Sequence, residues 1–165
     1  MPTSNSLDVL LAHHRWAMSN IINACNYITA EQFHRKFEMG PGSLHDTITP
    51  TLSATRIWTD MLAGREERPR FTGTVRTVVE LLTLFREICA GLITIAAAHP
   101  VDELVSRSLR EKTYTFPRGG ILTHVTTHGM HHQAQCLNML RHVGVNPLPQ
   151  SSVVEWMMAG EPVPA

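Results

Sequence analysis

What the chain lacks narrows it before any motif is read. It has no excess of either charge: Lys and Arg number 14, Asp and Glu number 14. No basic run stands out, so the electrostatic footprint of nucleic-acid binding, or of a polybasic membrane patch, is missing. Cysteine is scarce. Cys25, Cys89 and Cys136 are odd in number and widely spaced, with no CxxC, which argues against a disulfide framework. All three fall on apolar stripes of predicted helices and are expected to be buried, inert thiols. No apolar run reaches about 18 residues, and the opening MPTSNSLDVL lacks a charged n-region with an apolar core. The expectation is a soluble, cytoplasmic protein without repeats or low-complexity segments.

What is present is a hydrophobic fraction of 43% with only 17% charged residues, the balance of a compact globular chain. At 165 residues it is read as a single domain over 1–165, long enough to bury a core. Histidine is concentrated in one place. The stretch from Gly120 to Gly144 holds His124, His128, His131, His132 and His142, five of the ten histidines. With no proline inside it and Pro147 beyond, it predicts a helix of about six or seven turns. Leu122, Val125, Gly129, Cys136, Leu140 and Val143 make one apolar arc, with His132 at its edge and His128 one turn earlier. Side chains at i and i+4 project from one face about 5–6 Å apart, close enough for two imidazoles to share an ion. Gly129 follows His128, so no HExxH glutamate is built in and a zincin is excluded.

Three further helices are legible. Ser6 is read as the cap of a first helix to about Tyr27. His14 lies in the middle of its apolar stripe, His13 points well away from it, and Trp16 is on the opposite face. An indole there suggests a subunit interface, hence a homodimer. Thr29 with Gln32 forms a capping-box pattern for a short turn, and Ser43 caps the second long helix with His45 in its first turn. Pro50 is expected to kink that helix or break it after Thr49. A third long helix is expected from about Thr74 to Ala98, with Val75 on its seam. Val101 to Leu109 is read as a helical turn, Lys112 to Phe116 as extended, and Ser151 to Met158 as a terminal turn packing Trp156 onto the body.

Four amphipathic helices with one long crossover connection predict an all-α four-helix bundle. In such a bundle His45 from the start of the second helix, and His128 and His132 from the fourth, have a common meeting place. Three protein nitrogens leave coordination positions open, as in catalytic rather than structural sites. His14, His124 and His131 are candidates for the surrounding pocket. Imidazole accepts several divalent metals, with zinc or nickel the expectation here.

The segment GSLHDTITPTLSATRIWTDMLAG at 42–64, followed by THVTTHGMHHQAQ at 123–135, resembles the DinB/YfiT-like superfamily. The resemblance covers most of the chain and implies a metal-binding four-helix bundle, often dimeric, with His45, His128 and His132 as ligands. It also implies the chemistry of thiol-dependent transferases and isomerases that use bacillithiol, mycothiol or glutathione. Two departures stand out: the family's HHRGQ block reads His131-His132-Gln133-Ala134-Gln135 here, and Pro50 interrupts the second helix. The first functional reading is therefore a metal-dependent S-transferase, or a related hydrolase or isomerase. It would act on a small electrophile with a low-molecular-weight thiol as co-substrate. Arg15, Arg56 and Arg118 are its candidate anion contacts. The alternative is a non-catalytic metal or small-ligand binding protein of a stress response, and the plainest reading leaves the histidines as core and surface residues.

Overall fold

A computed structural model describes residues 5–109 and 111–162. Among these the chain is mostly helical, with one two-stranded sheet. Helix α1 spans Ser6–Ala24 and is capped not by Ser6 but by Asn5, whose side chain accepts from the Leu7 N–H at 2.9 Å. A 3₁₀ turn, Cys25–Tyr27, carries it on to Tyr27. The capping box of Thr29 and Gln32 opens α2, Ala30–His34, and Ser43 caps α3, Leu44–Leu62. Helix α4, Val78–Ala98, begins later than the hydrophobic pattern suggested. Thr77 and Glu80 form the capping box that fixes its start, and Val75, expected on its seam, is left exposed.

Pro50 does not break α3, which runs without interruption from Leu44 to Leu62. Pro50 lies on the exposed side, so its ring sits away from the buried face of the helix. The buried side carries a row of threonines. The hydroxyls of Thr47, Thr51, Thr55 and Thr59 each donate to the carbonyl four residues earlier, at 2.6–3.0 Å. Small polar residues therefore line a buried helix face without leaving these hydroxyls unpaired.

The helical turn expected over Val101 to Leu109 is instead a strand. β1 (Leu104–Leu109) pairs antiparallel with β2 (Lys112–Pro117), Leu104 opposite Pro117. The period-2 alternation of Ser106 and Ser108 decides this: their hydroxyls meet Thr115 and Thr113 across the ladder at 2.8 and 3.0 Å. The hairpin feeds directly into α5, Arg118–His142, with the Arg118 and Gly119 N–H groups held by the Glu103 and Val101 carbonyls. A last short helix, α6, spans Val153–Met158.

Helix α1 packs against α4 and α5, and α3 packs against the same two. Met18, Ile22, Ile48, Leu52, Phe85, Cys136 and Leu140 fill the main core. Cys25, Cys89 and Cys136 are all buried and free, and burial pushes the Cys25 and Cys89 thiols up to about 12. Helix α4 is long enough, and on average apolar enough, to cross a membrane, with a mean hydropathy of 1.7 over its best window, although Glu80, Arg86 and Glu87 interrupt its apolar run. Leu81, Phe85, Ile88, Cys89 and Leu92 bury one stripe of it among the other helices. Trp16 is likewise not at a free surface. It is only 6% exposed and packs with Ala17 against Trp156 of α6, which is 1% exposed. The C-terminal helix covers the indole that suggested a subunit interface.

Candidate functional site

Along α5, steps of four residues place His124, His128 and His132 in one ladder. Ring centroids are 5.5 Å apart between His124 and His128, and 4.6 Å between His128 and His132. The Nε2 atoms of His128 and His132 stand 3.2 Å from each other. Two nitrogens held 2.0–2.1 Å from one ion at a tetrahedral angle would be roughly 3.3 Å apart, so the pair has the spacing of two metal ligands. The same spacing suits an imidazole–imidazole hydrogen bond.

The partners of His132 select between its nitrogens. Its Nδ1 lies 2.8 Å from Gln135 Oε1, and the Gln135 Nε2 lies 3.1 Å from His131 Nε2. A carbonyl oxygen only accepts, so Nδ1–H donates to it and Nε2 keeps its lone pair directed at His128. Gln135 is itself confined. A Cβ at Gly40 would come within 2.6 Å of Gln135 Oε1 and displace that carboxamide, and the φ of +51° at Gly40 itself favours glycine. The i+3 and i+4 spacing of Gln135 from the two histidines is visible in the sequence, yet the sequence reading did not use it. The closing contact from Gly40 is not visible there. Desolvation first, then repulsion from His132, His124 and His131, lowers the pKa of His128.

His45 is not brought to this pair. Helices α3 and α5 run antiparallel, with Thr47 against Met139 and Trp58 against His124. On that register His45 lies on the order of two helical turns past His132, roughly 10 Å along the axis. The α3 residues level with the pair are those from Pro50 to Trp58, among which no His, Cys, Asp or Glu occurs. Both His45 nitrogens have other partners. Nδ1 is 3.1 Å from Asp46 Oδ1, and Nε2 accepts the Arg76 N–H at 3.3 Å. Its ring lies 4.7 Å from that of His34 and 5.8 Å from Phe33. His45 thus ties the start of α3 to the segment before α4. Beside it, the Lys36 ammonium holds the Asp46 carboxyl down at about 2. Among the described residues no three His, Cys, Asp or Glu side chains are grouped to hold a metal ion.

His14 does reach the level of the pair. A Cβ on Gly129 would sit 2.2 Å from His14 Cε1, so the absence of a side chain at Gly129 is what admits the ring. His14 Nδ1 is 3.3 Å from Gln133 Nε2, its ring meets Phe85 at 5.7 Å, and its Nε2 is buried without a partner. Burial, with His13 and His128 adding repulsion, lowers its pKa to about 4. His13, expected to point away from the core, is 2% exposed, and its Nε2 meets the Ser151 carbonyl at 2.8 Å. The candidate anion contacts are engaged elsewhere. Arg118 donates to the Leu62 carbonyl and to Glu103, and Arg56 stacks 3.8 Å over Phe71 and donates to the Pro69 carbonyl. Arg15 is half-buried on α1.

Against this geometry, the family model described as the DinB family matches residues 1–160. No curated protein matches the chain.

Proposed function

The chain belongs to the DinB family, and on that premise we propose that it is a metal-binding four-helix bundle working as a metal-dependent enzyme on a small electrophile. A low-molecular-weight thiol is its proposed co-substrate. The observation that carries this reading is the 3.2 Å separation of His128 Nε2 and His132 Nε2. These two nitrogens would hold a divalent ion, with zinc or nickel the proposed metal. Such an ion, when bound, lowers the pKa of a coordinated thiol toward neutrality.

The chain's own groups supply orientation and proton handling. Gln135 keeps His132 Nδ1 protonated and its Nε2 available. His131, exposed and bonded to the same carboxamide, is placed to pass the thiol proton to solvent. In the transfer itself the sulfur–carbon bond forms, the leaving group departs from that carbon with the bonding pair, and the thiol proton ends on base or water.

A second reading has its own support. His128 and His132 satisfy each other, and α3 offers no third donor at their level. That favours a protein that binds metal or a small ligand without turning it over. The test is metal analysis after purification without chelators, joined to a screen of thiols against electrophiles, for the wild type and His132→Ala. Metal retention and thiol transfer that both vanish in the variant support the enzyme; retention without transfer supports the binding protein. A second copy of the chain is the proposed partner. A monomer mass by sedimentation at micromolar concentration would remove the dimer.

A further inference from the structure

One apolar cavity adjoins the histidine ladder. It encloses about 290 Å³ and is lined by Trp58 of α3, Phe116 and Pro117 at the end of β2, and Gly120, Ile121 and His124 of α5. His124 is the shared wall: its ring meets Trp58 edge-on at 5.2 Å on one side and stacks at 5.5 Å on His128 on the other. The volume is at the lower end of small-molecule pockets, enough for one substituted aromatic ring. At Gly120 the only heavy atoms within 4 Å of an added Cβ are those of the Pro117 ring, from 3.4 Å. Arg107, 5.3 Å over Trp58, is paired with Glu67 through two nitrogens, so it does not call for an anion in the cavity.

We propose that this cavity is the subsite for the flat, uncharged aromatic part of the electrophile, which places the reacting carbon toward His128 and His132. The inference rests on the functional reading above and names its substrate class. Trp58, Phe116 and Pro117 supply flat or ring-shaped walls, and His124 stands at the end joined to the pair through its stack on His128. A flat apolar ring gains stacking there without leaving a buried polar group unpaired. An aliphatic or charged electrophile gains neither.

The test uses 4-nitrobenzyl alcohol, an unreactive nitroaromatic that quenches indole fluorescence. Trp16 and Trp156 are buried together elsewhere, so saturable quenching reports Trp58. Replacing Gly120 with leucine should fill the cavity and raise the dissociation constant about tenfold or more, equivalent to about 1.4 kcal/mol. His132→Ala should leave it within about twofold. In the unsubstituted protein the Ile121 methyl resonances should shift on titration, which keeps the test intact if Gly120→Leu fails to fold. Quenching unaltered by Gly120→Leu in a folded variant, or no Ile121 shift at saturating probe, overturns the subsite. If the probe binds as expected and no thiol transfer is found, the subsite stands and the catalytic reading falls. If transfer occurs equally on aliphatic and aromatic electrophiles and ignores Gly120→Leu, the catalytic reading stands and the subsite falls.

Discussion

Gln135 Oε1 lies 2.8 Å from His132 Nδ1, and the absence of a side chain at Gly40 leaves room for the same carboxamide. This contact sets which nitrogen of His132 faces His128. Gln135→Leu should therefore weaken metal binding roughly 10–100-fold while leaving the fold intact. Competition against a chromophoric chelator measures it. An unchanged affinity would mean that the carboxamide does not select the tautomer.

His45 and His132 should separate cleanly in the same assay. His132→Ala removes a nitrogen of the pair, and metal affinity should collapse. His45→Ala removes contacts to Asp46 and Arg76, so it should lower the melting temperature by a few degrees, as expected for roughly 1–2 kcal/mol, with affinity little changed. Equal losses of metal in both variants would restore His45 as a ligand.

Gly129→Ala sets helix propensity against packing. Alanine is better than glycine in a helix by about 1 kcal/mol. Its Cβ, however, would stand 2.2 Å from the His14 ring, and overpacking of this kind costs roughly 1–3 kcal/mol or more. Net destabilisation is expected by urea unfolding, and His14→Ala in the same chain should relieve it. Additive losses in the double variant would show that the two positions do not touch in solution.

His14 also gives the stability a pH dependence. Its folded pKa of about 4 is below the ordinary 6.5, so the unfolded chain binds more protons between those values. Stability contributed by the neutral ring is full above about 6.5 and is lost as pH falls toward 4. His13 and His128 face it and repel its charged form, while Gln133, Gly129 and Phe85 contribute no charge. Melting temperature followed from pH 7 to 4 in chelator should fall less steeply for His14→Gln than for the wild type. With metal present the fall should be steeper still, because bound imidazoles must stay neutral. Parallel curves with and without chelator would show that no histidine holds an ion.

Trp156→Ala should destabilise by roughly 3–5 kcal/mol and shift the Trp16 emission to the red, since α6 covers that indole. Emission unchanged from the wild type would mean that Trp16 is shielded by something other than α6.

The sequence by itself determined the helices, the cysteines and half of the site. Hydrophobic periodicity is local, so α1, α3, α4 and α5 could be read from it, and the i, i+4 spacing of His128 and His132 fixes their approach within one helix. Capping boxes at Thr29 and Thr77 are likewise local, and the second, rather than hydrophobic periodicity, marks where α4 begins. What only the tertiary structure decided is the level at which helices meet. Pattern alone put His45 near the start of α3. The α3–α5 register then carried it past the pair and brought the unreactive run from Pro50 to Trp58 opposite it. The burial of Trp16 depended on a helix more than a hundred residues away, and the entry of His14 on the empty Cβ position at Gly129. A period of 3.6 residues says which face of a helix is buried; the axial offset between two helices depends on how their side chains interlock across the contact, and no single segment contains that information.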